Sequence, residues 1–260
     1  MRAGPQVQVG TVLGHRYKLK KILGSGGGAV VFEAFDWHEK KTVAVKVLRP
    51  ALGDNGEIRD RFFRGARSMD ELAGHGVVRV TDRGGSDRGY HYFAMELLHG
   101  RFRTVIENEV LSLRNRLDLV RQVGKTLEAA HARGIIHRDI RPDNILMGGD
   151  RKPYLTDFDI ALSLHETRYT QIGLMGNIVY SAPEQLKDPR DATERSDIYS
   201  LAMLAVYAIL REDPDLAAFQ RDRYLFIEHL NCPLEVKQLL ARALSAPARP
   251  VLRVGLGLLQ

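Results

Sequence analysis

His137-Arg138-Asp139-Ile140-Arg141-Pro142-Asp143-Asn144 sets an acid and an amide five residues apart, and Asp157-Phe158 follows. Phosphoryl transfer asks little covalent chemistry of a protein. It needs an acceptor hydroxyl aimed in line, and cations that neutralise the phosphate oxygens. In such a centre Asp139 would orient the hydroxyl, while Asn144 and Asp157 would hold Mg²⁺ between the phosphates. Alone, an Asp-x-x-x-x-Asn pair is weak, because it arises by chance. Its company in the rest of the chain gives it weight.

Upstream, Leu23-Gly24-Ser25-Gly26-Gly27-Gly28-Ala29-Val30-Val31-Phe32 places a glycine cluster between apolar, β-branched runs. Glycines let a backbone fold tightly over phosphates with its N–H groups facing them, although Gly24-x-Gly26 by itself is more often a plain hairpin turn. The next strand, Thr42-Val43-Ala44-Val45-Lys46-Val47-Leu48, alternates so as to bury one face around a lone cation. Lys46 is either a surface lysine or one that reaches for α- and β-phosphates beside the glycine turn. Downstream lie Gly176-Asn177-Ile178-Val179-Tyr180-Ser181-Ala182-Pro183-Glu184, then Ser196-Asp197-Ile198-Tyr199-Ser200-Leu201, then Ala246-Pro247-Ala248-Arg249-Pro250.

In this order and spacing the chain resembles the protein kinase superfamily, above all bacterial Ser/Thr kinases of the eukaryotic type. His15-Arg16-Tyr17-Lys18-Leu19 before the glycine turn and Pro183-Glu184-Gln185 are typical of that group, and the likeness runs from about Arg16 to Pro250. It implies an α+β, bilobal fold: a small antiparallel sheet lobe with one helix, joined to a mostly helical lobe. The expected division is a leader over 1–15, the sheet lobe over 16–96 and the helical lobe over 97–260. ATP and Mg²⁺ are the implied cofactors, with Mn²⁺ as the alternative ion.

The resemblance also assigns residues. Lys46, Asp139 and Arg141 would act on the phosphates and the acceptor. Leu23, Gly24, Gly26, Val31, Ala44 and Leu146 would enclose the nucleotide, and Met95-Glu96-Leu97-Leu98 would be the hinge that meets the adenine edge. His137 and Phe158 would pack under the metal site. Arg138 would pair with a phosphate on Thr167 or Thr170, Glu184 would brace Arg249, and Asp197 would hold the catalytic-loop backbone.

Composition narrows the field. The chain has 260 residues, 44% hydrophobic and 27% charged, ordinary for a globular protein. Cys232 is its one cysteine, which excludes an intrachain disulfide and points to a reducing, cytoplasmic setting. No apolar run reaches the ~20 residues that span a bilayer. The net charge of +6 is spread along the chain without interleaved aromatics, against nucleic-acid binding. The arginines Arg59, Arg61, Arg64 and Arg67 fall mostly on one helix and suit a solvated face, or docking of an acidic partner. Periodicity places strands at Tyr17–Leu23, Val30–Phe35, Thr42–Leu48, Val77–Asp82 and Tyr90–Glu96. Ile58, Phe62, Ala66, Met69 and Ala73 repeat at helical spacing, and helices are expected over Leu117–Ala132 and Ile198–Leu210.

Several positions depart from the family pattern. Ala29 replaces the third glycine. Gly65 stands where a helix glutamate should pair with Lys46, and Glu71, six residues on, lies about 240° around the helix. Arg141 replaces the loop lysine, Asp159 the glycine after Phe158, and Asn177 a threonine. About two dozen residues separate Leu210 from Leu234, which either removes a docking helix or trims it to Arg221–His229. The expectation is an ATP-dependent Ser/Thr protein kinase that phosphorylates its own activation segment, with a homodimer allowing this in trans. A pseudokinase, serving as a nucleotide-binding signalling module, is the alternative, and a small-molecule kinase a fainter third.

Overall fold

Strand β4 (Lys41–Leu48) shows why a two-faced sheet forms here. Val43, Val45 and Val47 point to one buried cluster, while Ala44 and Leu48 point to another, as the period of two dictates. The computed structural model describes residues 7–26, 28–158 and 178–245. Asp159, Thr167, Thr170, Asn177 and Arg249 lie outside these residues.

The remaining strands are β1 (Val12–Leu13), β2 (Tyr17–Ser25), β3 (Ala29–Asp36), β5 (Val80–Asp87) and β6 (Tyr90–Met95). They form an antiparallel curled sheet in the order β1-β2-β3-β4-β6-β5. The leader expected over 1–15 is part of this lobe from Val7 on. Val7 and Leu13 are buried among Phe32, Val45 and Tyr92, and β1 pairs with β2. The strand expected over Val77–Asp82 runs instead from Val80 to Asp87, since a hairpin with β6 sets its register by pairing, not by hydrophobicity.

After a four-residue turn of helix, α1 (Pro50–Gly53), comes α2 (Gly56–Glu71), started by Asn55, whose side chain accepts from the Ile58 N–H at 3.1 Å. Ile58, Phe62, Ala66 and Met69 bury the expected face. Ala73 does not continue it: the helix ends at Glu71, Leu72 fills the core and Ala73 is exposed. Glu71 is exposed as well, so it cannot serve Lys46.

Beyond the hinge, β7 (Gly100–Arg101) leads into α3 (Phe102–Asn108) and α4 (Leu113–His131). Val120, Val123, Leu127 and Ala130 of α4 pack on the helix Glu194–Leu210, which is apolar nearly all round and buried to match. Strand β8 (Ile145–Met147) pairs with β7 on one side and β9 (Pro153–Leu155) on the other in a second sheet. The lobes are stitched where the Val78 N–H donates to the Leu155 carbonyl and the Leu155 N–H to that of Gly76, both at 2.9 Å. Between Leu210 and Leu234 the chain forms helical turns at Leu216–Arg221 and Arg223–Glu228, where one helix was expected over Arg221–His229, followed by a helix at Leu234–Ala243.

Candidate active site

The site gathers at the facing edges of the two lobes. From the upper lobe comes Lys46, inward-facing on a central strand and therefore 3% exposed. A buried ammonium needs a partner, and its partner is Asp157: Nζ lies 2.7 Å from Oδ1. Burial by itself disfavours the Asp157 carboxylate, but the lysine outweighs it and holds the group below the usual carboxylate range. The Thr156 hydroxyl donates to the same oxygen at 3.2 Å.

Gly65 explains why no helix acid is present. A Cβ there would sit 2.5 Å from the Phe158 carbonyl oxygen, so α2 rests directly on the backbone beside Asp157. The volume a glutamate would enter is occupied by main chain. Sequence alone shows the missing acid; the contact that excludes it is tertiary.

Below the cleft, Asn144 spends both amide hydrogens on Asp139, donating to its carbonyl at 2.8 Å and to Oδ2 at 2.7 Å. Burial raises the Asp139 carboxyl above its ordinary value, against the opposing pull of Arg141 and His137. The loop 137–144 is held from underneath by Asp197, 1% exposed. Its oxygens accept from the backbone N–H groups of His137 and Arg138, each at 2.8 Å. His131 Nε2 lies a further 2.8 Å from the same carboxylate. The His137 ring packs 4.4 Å from that of Phe158, centroid to centroid, and its Nε2 meets the Thr156 carbonyl at 2.9 Å. These bonds fix two residues in the left-handed region, Arg138 at φ 71° and Asp157 at φ 67°. Such backbone costs about 1–3 kcal/mol per residue and persists only where its surroundings over-determine it.

Arg141 points its fork at Asp143, with Nη2 2.5 Å from Oδ2. Glu184 accepts from the Ser196 hydroxyl at 2.7 Å. Its expected partner, Arg249, is outside the described residues. The wall expected to enclose a nucleotide is apolar: Leu23, Val31, Leu98 and Leu146 are half-buried against the cluster that holds Ala44 and Met95. At the hinge the Glu96 N–H donates to the Arg79 carbonyl, and its carboxylate accepts from the Arg79 N–H.

Sequence reasoning missed several supporting residues. Arg49 straps the glycine turn, its Nε donating to the Gly26 carbonyl at 2.9 Å and Nη2 to Ser25 Oγ at 2.8 Å. Arg101 donates across the cleft to the Leu23 carbonyl at 3.0 Å. Gln185 Nε2 donates to the Arg138 carbonyl at 2.9 Å. None has a local signature, because each acts through a contact distant in sequence.

Oxygen donors suit Mg²⁺, which takes one or two carboxylates plus substrate phosphates in place of a full protein cage. Asp157 and the side-chain amide oxygen of Asn144, Oδ1, fit that demand. Among the described residues no cluster of three or more His, Cys, Asp or Glu side chains could hold a metal unaided.

This fold and this lysine–acid–amide set define a class, and residues 17–238 match the protein kinase domain, so the chain belongs to that family. Serine/threonine-protein kinase PknA of Mycobacterium tuberculosis is 37% identical over 214 residues, covering 80% of this chain and 49% of the relative. PknE of Mycobacterium bovis is 36% identical over 201 residues, covering 76% of this chain and 35% of the relative. The crystal structure of the Mycobacterium tuberculosis PknI kinase domain superposes with a TM-score of 0.67 at 26% identity, covering 92% of this chain and 91% of that one. The chain spans about half the length of PknA and about a third that of PknE. No helix among the described residues is long and apolar enough to cross a membrane.

Proposed function

We propose that this chain is an active, atypical Ser/Thr protein kinase domain that moves the γ-phosphoryl group of ATP to protein hydroxyls, its own Thr167 and Thr170 included. The observation that most supports this reading is the joining of all four functional side chains by two short contacts, Lys46 to Asp157 and Asn144 to Asp139. A chain released from catalysis has no reason to keep them in register.

The nucleotide would slide between the apolar walls set by Val31, Ala44 and Leu146. Lys46 would then exchange Asp157 for the α- and β-phosphates, and the freed Asp157 carboxylate, with the Asn144 side-chain Oδ1, would hold Mg²⁺. The ion supplies charge neutralisation across the phosphates. Asp139 accepts a hydrogen bond from the acceptor hydroxyl and so aims its oxygen in line. As the new P–O bond forms, the bond to the β-phosphate breaks, ADP leaves, and the proton passes to Asp139. Arg141, planar and permanently charged, would steady the γ-phosphate.

One observation favours the pseudokinase alternative: in this arrangement Lys46 and Asp157 satisfy each other, and Gly65 offers no third partner. Transfer of radiolabelled γ-phosphate to the chain itself, compared with an Asp139→Asn variant, separates the two. Labelling that depends on Asp139, with phosphate on Thr167 or Thr170 by peptide mass analysis, supports the kinase. Equal labelling of both proteins refutes it, and Mg²⁺-dependent stabilisation by ATP without turnover favours the alternative.

A further inference from the structure

Arg103 stands outside every motif, yet its guanidinium meets three acids, Asp143, Glu107 and Asp213. It is the second residue of α3, between the fully buried Phe102 and the buried Ile106 that anchor the helix. Its Nε and Nη2 lie 3.2 and 3.3 Å from the two oxygens of Asp143. Its Nη1 and Nη2 lie 3.1 and 3.2 Å from those of Asp213, and Nη1 also lies 3.1 Å from Glu107. Beneath it the Tyr207 ring centre is 5.1 Å away, and that tyrosine's hydroxyl donates to Glu107.

The other two acids also have second duties. Asp143 lies between the loop residues Arg141 and Asn144 and is shared with Arg141. Asp213 follows the long helix Glu194–Leu210 and accepts from the Tyr180 hydroxyl at 2.6 Å. Arg103 thus closes a continuous chain of charged contacts, Arg141–Asp143–Arg103–Asp213–Tyr180. That chain runs from the phosphate side of the catalytic loop to the segment just before Pro183-Glu184. Three carboxylates this close repel one another unless a cation with several donors lies between them, and a planar fork is suited to two carboxylates at once.

We infer that Arg103 is a positioning residue: through Asp143 and Asp213 it sets the catalytic loop, Arg141 included, against the Tyr180 segment. The inference rests on the kinase reading above. Without Arg103, Asp143 keeps Arg141 as its one cation partner among the described residues, the loop loses its tie to Asp213, and Tyr180 loses a fixed acceptor.

Arg103→Met and Arg103→Lys in the full chain test this. With a protein acceptor such as casein, Arg103→Met should lower kcat by about 10- to 100-fold, the scale of a small misplacement at a reacting centre. The KM for ATP should stay within about twofold of wild type, since none of these contacts touches the nucleotide wall. Lysine restores the charge without the fork and should recover only part of the loss. The double variant Arg103→Met with Asp143→Asn should be no worse than the more damaging single change, because both cut one linkage. Additive losses, or a rise in ATP KM that matches the loss in kcat, would overturn the inference. A second readout is independent of turnover. The Asn144 amide, bonded to the Arg141 carbonyl at 3.0 Å, should exchange its hydrogen faster in Arg103→Met and at an intermediate rate in Arg103→Lys. Unchanged exchange there overturns the inference whether or not the wild type transfers phosphate, and wild-type inactivity with altered exchange counts only against the kinase reading.

Discussion

Replacing Gly65 by alanine sets two opposed effects against each other at one atom. Alanine inside an exposed helix is worth about 1 kcal/mol over glycine. At this position the new Cβ would lie 2.5 Å from the Phe158 carbonyl oxygen and 3.5 Å from its carbon. Ordinary carbon–oxygen approaches are about 3.3 Å or more, so helix and strand end must separate by roughly 0.8 Å. Both contacting groups are backbone and cannot rotate away, and overpacking of this kind costs about 1–3 kcal/mol. The net expectation is a destabilisation of about 1 kcal/mol, or about 2–4 °C in Tm for a domain of this size. Displacing Phe158 also drags Asp157 from its 2.7 Å contact with Lys46, so Mg²⁺-ATP affinity should fall. Gly65→Glu should do worse, although it restores the family's residue. Urea unfolding followed by the fluorescence of Trp37, the only tryptophan, measures the stability. Thermal shift with and without Mg²⁺-ATP measures the binding. A Gly65→Ala protein more stable by about 1 kcal/mol, with unchanged nucleotide binding, would refute the steric account, because only the helix propensity would have been felt.

Other outcomes follow from the same geometry. The buried Asp36 carboxylate is bound by Arg16 at 2.8 Å through two bonds. Burial would raise its pKa, but Arg16 and the Glu39 and His38 N–H groups lower it below the ordinary value of 3.8. Its stabilisation is therefore present above pH 3.8 and lost as pH falls through the folded-state value. Asp36→Asn should cost about 3 kcal/mol at neutral pH, with the gap to wild type narrowing in acid, as urea titrations at several pH values would show. Asp197→Ala removes two charged backbone bonds worth about 1.5–3 kcal/mol each, so Tm should drop sharply and amide exchange at His137 and Arg138 accelerate. Asp157→Asn should weaken the hold on Lys46 and abolish the Mg²⁺ dependence of ATP binding, read by calorimetry with and without the ion. Arg49→Ala should loosen the glycine turn and raise the KM for ATP severalfold while leaving the melting temperature nearly unchanged.

What the sequence determined is the family and the plan of the chain. Asp139, Asn144, Asp157 and Lys46 could be singled out because phosphoryl transfer accepts few residue types, and the fold joins Lys46 to Asp157 and Asn144 to Asp139. The lobes were legible because periods of 2 and 3.6 encode which face is buried. The start of β5 and the end of α2 were not, since pairing with β6 and the packing of Leu72 decide them. The partner of Lys46 lies 111 residues away, and those of Arg103 lie 40 and 110 residues away. Such contacts depend on where the folded chain brings two backbones, and Gly65 shows the limit most clearly. In sequence it is an absent acid; in the fold it is the space that a neighbouring carbonyl needs. Local residue preference cannot reveal that difference, because steric exclusion belongs to the pair of surfaces and not to either strand of sequence alone.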